Sequence, residues 1–249
     1  MGRNNFLARS RSGRLVVPLV VVLVLGLGGI LTIAALQSGD DDASAAANQP
    51  SPSTGPSAEA SPVVPDQDVP EVLVLDTVGT ELVSGMWVGF DHDLTGAISA
   101  GVEYWSTYSA NLDPDRGEAL GAAIFSESML ADLDTEGLRA KALDSRESIG
   151  VPAEGEVPEG IDLNVAFSNY QTYGYEADRV NLLLLGEATV YTDDGLPQTS
   201  PVLNPLVMVW ESGDWKIDGF PFGELDYQSL LADPGSLEAT ELGWSRLTR

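Results

Sequence analysis

Hydrophobic and polar positions divide the chain into four stretches of different rhythm. Residues 15–36, LVVPLVVVLVLGLGGILTIAAL, run for 22 positions without a charge. As a helix rising 1.5 Å per residue they reach roughly 33 Å, enough for the ~30 Å hydrocarbon core of a bilayer, so the pattern predicts a transmembrane helix. The preceding residues, 1–14, are short and polar. Residues 37–70 are rich in Ser, Ala, Pro, Asp and Gln, with Val63, Val64 and Val69 as their only sizeable apolar side chains. Such a stretch buries too little surface to offset its ordering entropy and predicts a disordered tether. Periodic apolar positions begin at Glu71 and continue over 71–249, the expected folded domain.

Within that domain VLVL at 72–75 and MWVGF at 86–90 read as short strands or packing segments around Gly79 and Gly85. Leu94, Ala97, Ile98, Val102, Trp105, Tyr108 and Leu112 then recur at helical spacing behind the capping chemistry of Asp91 to Asp93. They predict a long helix from about 93 to 111. Asn111-Leu-Asp-Pro-Asp breaks it, and 118–130 and 135–147 follow as two further helices.

Past the loop of Pro152, Gly155, Pro158 and Gly160 the period changes from 3.6 to 2. Ile161, Leu163, Val165 and Phe167 alternate with polar residues, in a strand that continues through Tyr170, Tyr173 and Tyr175. A turn at 176–179 leads to a strand at 180–192, whose four successive leucines predict cover on both faces. Asp193-Asp194-Gly195 is a turn signal, and 202–211 is the next strand, with Pro205 predicting a bulge or edge irregularity. The segment from Trp210 to Ile217 closes as a hairpin around Gly213, and 225–232 reads as a last short helix. Helices first and a meander of about four antiparallel strands afterwards give the α+β class, with the long helix packed on the sheet.

Charge assigns sides to this layout. Arg3, Arg9, Arg11 and Arg14 carry all the charge of the first 14 residues, whereas the remainder holds 8 basic and 38 acidic side chains. Arginines flanking an apolar span keep their side in the cytoplasm, so a single-pass protein with its C-terminal domain outside the cell is expected. A cleaved signal peptide is the alternative, given the Ala-rich stretch at 43–47, but the apolar run exceeds a normal h-region and Asp40 to Asp42 intervene. Without cysteine the chain has no disulfide, thiolate metal site, cysteine nucleophile or lipidated cysteine. A net charge of −26 disfavours nucleic acid and anionic headgroups as partners of the outer domain.

Few residues suggest chemistry. His92, the single histidine, sits between Asp91 and Asp93 at the start of the long helix. Adjacent residues point in different directions, so the trio reads as capping of free amides before acid–base or metal chemistry. Gly96 and Ala97 read as small residues permitting close approach of the helix. Tyr170, Tyr173 and Tyr175 are candidates to line a groove or interface, or to be ordinary sheet packing. The Asp40 to Asp42 run reads as a solvated charge run rather than a cation site. No catalytic residue, cofactor or metal is expected.

The order of elements, ending in a Trp-x-x-Gly-Asp-Trp-Lys-Ile hairpin formed by Trp210, Gly213, Asp214, Trp215, Lys216 and Ile217, resembles the nuclear-transport-factor-like cone fold. With anchor and tether, the chain resembles the bitopic scaffold proteins of conjugation and type IV secretion machines. The segment Gly89-Phe90-Asp91-His92-Asp93-Leu94-Thr95-Gly96-Ala97 is similar to a Gly-aromatic-x-His-x-x-x-Gly-Ala stretch in conjugation-associated membrane proteins of Gram-positive bacteria. The resemblance implies an outward-facing scaffold or assembly module whose partners are other membrane or envelope proteins, with the bilayer held through Leu15 to Leu36 and oligomers left open. The alternative is an accessory protein of an envelope transport system that binds lipid or a small apolar molecule in the cone. Cone folds also host isomerases and dehydratases with an Asp base, for which Asp162, Asp178 and Asp218 are the residues to examine.

Overall fold

The computed structural model describes residues 69–192, 195–221 and 226–249. The expected anchor, the tether up to residue 68, Asp193, Asp194 and Leu225 lie outside them. Among the described residues no helix is long and apolar enough to cross a membrane.

In chain order the elements are β1 (Val72–Val74), β2 (Glu81–Val83), β3 (Met86–Val88), α1 (Leu94–Ser109), α2 (Pro114–Ile124), α3 (Glu127–Asp132) and α4 (Thr135–Ser148). They continue with β4 (Asp162–Glu176), β5 (Arg179–Tyr191), β6 (Gln198–Glu211), β7 (Asp214–Gly219), α5 (Tyr227–Leu230), α6 (Leu237–Glu241) and β8 (Ser245–Thr248). The α+β class holds, but the sheet has six strands in the order β1-β8-β4-β5-β6-β7 rather than about four. The additions are the outermost pieces of the domain: β1 pairs in parallel with β8, and β8 pairs antiparallel with β4. VLVL at 72–75 reads as a short strand or packing segment from the sequence, but its place in this sheet is set by β8, four residues long, and the partner of Val72 is Arg246, far along the chain.

Local chemistry sets the helix ends. Asp93 caps α1, its Oδ1 accepting the Gly96 amide at 2.7 Å. The helix expected over 118–130 is two helices. Asp113 caps α2 with Pro114 at its first position, and Ser126 caps α3 after Phe125 has left helical geometry. Phe125 bridges to Ile217 instead, which spends a helical residue on the edge of β7.

The long strands follow the alternation closely. Leu163, Val165 and Phe167 are buried, and a bulge between Phe167 and Asn169 shifts the phase so that Tyr170 returns to the same face. Opposite that bulge a Cβ on Gly186 would meet the Ala166 carbonyl oxygen at 2.0 Å, so the strands close here only around glycine. Pro205 pairs in register with Leu183, while β7 contacts β6 only from Val207 to Glu211. The proline therefore occupies the part of β6 that extends past its neighbour, and the register irregularity falls two residues on, between Val207 and Met208.

Both faces of β5 are covered. Val180, Leu182 and Leu184 belong to the main core under α1, with Ile98, Val102, Tyr104, Trp105, Tyr108, Leu206, Met208 and Trp215. Leu183 and Leu185 join Leu203, Ala232, Ala239 and Trp244 in a second cluster on the outer face. The C-terminal segment, largely unread in the sequence, is that outer cover before it turns into β8.

Candidate interaction site

The segment Gly89 to Asp93, between β3 and α1, is tied to the β6–β7 hairpin by a chain of polar contacts. Asp214, at the start of β7 and 7% exposed, collects them. Its Oδ1 accepts the amides of Gly89 at 3.0 Å and Trp215 at 2.8 Å. The Tyr104 hydroxyl on α1 reaches both carboxylate oxygens, at 2.9 and 2.8 Å. Lys216 Nζ donates to Asp214 Oδ2 at 3.1 Å and to the Ala123 carbonyl at 2.6 Å. A buried carboxylate is tolerated when its lone pairs are met in this way. Burial first, and the adjacent Asp214 charge second, push the Tyr104 phenol well above its ordinary range.

Above this network lies an aromatic group. Trp215 is fully buried, its indole Nε1 donating to the Asp91 carbonyl at 2.9 Å. His92 stacks on Trp210 with ring centroids 4.1 Å apart and planes 10° from parallel, and meets Trp215 edge-on at 5.7 Å. Its Nε2 lies 2.8 Å from Asp178 Oδ1 and 3.0 Å from the Ala177 carbonyl, both in the β4–β5 turn. With Nε2 protonated, the ring is a donor clasped by that turn. The Trp210 amide donates to the Asp178 carbonyl at 2.9 Å, closing the arrangement. Three connections thus converge at one end of the domain, and the His92 side chain remains 40% exposed.

The structure brings together His92, Trp210 and Trp215, while Gly96 and Ala97 lie in the first turn of α1. His92 is not the expected cap: Asp93 alone bonds the helix amide, and the imidazole serves the hairpin tips. Gly96 does permit a close approach, but to its own chain, since a Cβ there would sit 1.9 Å from the Asp91 carbonyl oxygen. Ala97 is fully buried.

The tyrosines do not share a groove. Tyr170 is buried in the main core and donates to the Pro70 carbonyl at 2.6 Å, whereas Tyr173 packs on the outer cluster and donates to Gln171 Oε1 at 2.5 Å. Three residues of separation in a strand put them on opposite faces. The aspartates examined for a base are equally scattered. Asp162 accepts its neighbour's amide at the exposed start of β4, Asp178 holds His92, and Asp218 accepts from Ser126 Oγ at 2.7 Å and from Arg179 at 3.3 Å. Among the described residues no group of three or more His, Asp or Glu side chains is placed to hold a metal.

Two features had no local signal in the sequence. One is the pairing of Tyr104 with Asp214. The other is the burial of Lys141, Ser145 and Arg146 on α4, a helix that the sequence does predict over 135–147. Arg146 donates to the carbonyls of Leu112, Pro152, Ala153 and Gly155, pinning the loop that follows. Lys141 donates to Ser145 Oγ at 2.5 Å, and burial lowers its ammonium pKa to about 8 against the opposing pull of Asp144.

No protein-family model matches the chain, nor does any curated protein. Among solved structures it is similar to the crystal structure of the intermembrane space region of chloroplast protein ARC6. That likeness has 12% identity over 49% of this chain and 92% of that one, with a TM-score of 0.28, and it carries no argument about function.

Proposed function

We propose that this chain is a membrane-anchored assembly module. In this reading Leu15 to Leu36 fixes it in the bilayer, the first 14 residues stay in the cytoplasm, and residues 37–70 space the outer domain from the surface. The domain docks other subunits of a bacterial envelope machine, of the conjugation or secretion kind that the sequence resembles. The supporting observation is the filled inner layer. Tyr104, Trp105, Tyr108, Leu182, Leu206 and Met208 close the space between α1 and the sheet with at most 1% exposure each. A Cβ on Gly101 would come within 2.8 Å of Leu182 Cδ2. A domain packed in this way acts through its surface, and the His92–Trp210 end presents the part-buried Trp210 ring, the His92 imidazole and the exposed Asp178 carboxylate, held together by stacking and hydrogen bonds.

The test is cross-linking in intact membranes, purification through a C-terminal tag and mass spectrometry of what is attached. Recovery of channel or ATPase subunits supports the reading, and recovery of the chain by itself overturns it. A second reading, a small-ligand carrier, draws on buried polar atoms that have no hydrogen-bond partner among the described residues: Trp105 Nε1, Thr172 Oγ1 and Asn204 Oδ1. A bound small molecule released on denaturing the purified chain would favour it.

A further inference from the structure

The two edges of the main sheet are finished differently. The β7 edge is charged and covered: Lys216 and Asp218 lie along it, Phe125 bridges to Ile217, and the Ser126 amide donates to the Ile217 carbonyl at 3.0 Å. These are the devices by which proteins keep an edge from pairing with another chain. Among the described residues the β1 edge has neither charge nor cover, and its protection is limited to its short length. Between Glu71 and Asp76 it reads Val-Leu-Val-Leu, without charge, proline or bulge, and Val72 and Val74 are 52% and 65% exposed.

The hydrogen bonds show what that edge offers. The Arg246 amide donates to the Glu71 carbonyl and the Leu75 amide to the Thr248 carbonyl, each at 2.8 Å, and Thr248 Oγ1 donates to the Leu73 carbonyl. Residues 71, 73 and 75 therefore face β8. Strand alternation turns the amides and carbonyls of Val72 and Val74 the other way, toward the open edge.

We infer that this edge pairs with the same edge of a second copy, β1 antiparallel to β1, around a two-fold axis at Leu73. Only registers that oppose even-numbered residues satisfy the outward groups. The register placing Val72 opposite Val74 of the other copy, in both directions, makes four backbone hydrogen bonds. It also sets the exposed valines against each other on one face, the kind of β-branched cross-strand pair that stabilises sheets. Glu71 then faces Leu75 rather than Asp76, so this register opposes no like charges in a chain of net charge −26. The pairing is isologous and closed, so it stops at a dimer with one continuous twelve-stranded sheet.

The absence of cysteine allows a register-specific test on the full chain in its membranes. Chains carrying Val72→Cys and Val74→Cys, with different tags, are co-expressed and oxidised. In the inferred register positions 72 and 74 lie opposite, whereas 72 with 72, or 74 with 74, lie about 8–9 Å apart on the diagonal, beyond disulfide reach. The mixed disulfide is expected at least tenfold above either self-pair. In parallel, Val74→Pro removes one outward amide and leaves the bonds to β8 in place. It is expected to convert a detergent-solubilised dimer to monomer in sedimentation, with unchanged far-ultraviolet circular dichroism. Self-pairs equal to the mixed pair, a monomeric wild-type chain, a Val74→Pro chain that stays dimeric, or disulfides formed only with a different protein would each overturn the inference.

Discussion

Tyr104 and Asp214 lie 110 positions apart and share two hydrogen bonds, with the phenol between the two carboxylate oxygens. This contact fastens the middle of α1 to the turn end of the β6–β7 hairpin, and the same carboxylate holds Gly89. It is the point at which the two segments that drew attention in the sequence, 89–97 and 210–217, become one structure.

Tyr104→Phe removes the donor and leaves Asp214 under-satisfied in a buried site. The expected loss is about 1–3 kcal/mol in urea unfolding. Tyr104→Phe combined with Asp214→Asn should cost less than the sum of the two, because the removed groups interact directly. Additive losses would show that the contact is energetically idle.

Gly96→Ala is expected to destabilise the domain by about 2 kcal/mol or more, since the new methyl group meets backbone, the Asp91 carbonyl, which cannot move without breaking the Trp215 indole bond. Gly101→Ala should cost less. Its Cβ meets the tip of Leu182, which has rotamer freedom to yield. Thermal unfolding of the two variants side by side gives the order.

Lys141 makes stability depend on pH in an unusual direction. Its pKa falls from the ordinary 10.5 to about 8 on folding, so between those values the unfolded chain binds more protons. Stability therefore rises as pH increases from about 8 to about 10.5, by about 3 kcal/mol for such a shift. Tyr173, pushed up to about 12 by burial, acts oppositely, as do Tyr104 and Tyr108: unfolded tyrosines ionise first, so stability falls above pH 10. The sum is a maximum near pH 10. Lys141→Met should raise stability at pH 7 and flatten the rise between 8 and 10, as read from urea midpoints.

At the hairpin end, His92→Ala and Trp210→Ala test docking apart from folding. The His92–Asp178 contact is exposed and such surface contacts contribute little, so His92→Ala should cost less than about 1 kcal/mol. If this end holds a partner, both variants should lower recovery of cross-linked envelope subunits about tenfold while remaining folded. Undiminished recovery would move the docking surface elsewhere.

What the sequence disclosed depended on distance along the chain. The cap at Asp93, the alternation of Leu163, Val165 and Phe167, and the double cover of the leucines at 182–185 follow from neighbours within a turn or a strand, and they were legible. The role of His92 was not. Its partners come from the turn at 177–178 and from Trp210, and adjacency to Asp91 and Asp93 suggested capping instead. Tyr170 and Tyr173 looked equivalent until the bulge after Phe167 decided which face each takes. The six-stranded sheet was hidden for the same reason. Its outer pair is local to nothing, joining residues near 72 to residues near 246.

That outer pair also sets an order of events. Contacts between distant parts of a chain form only after the loop between them closes, and here nearly the whole domain is the loop. β1 precedes every other strand of the sheet and has no neighbour in it until β8 is available, so the sheet is finished from its middle outward and its edge last. A domain growing from a ribosome or emerging through a translocation channel would hold Val72 to Leu75 without their sheet partner until residues 245–248 had followed, and the arrival of β8 would itself be the signal that lets the edge settle.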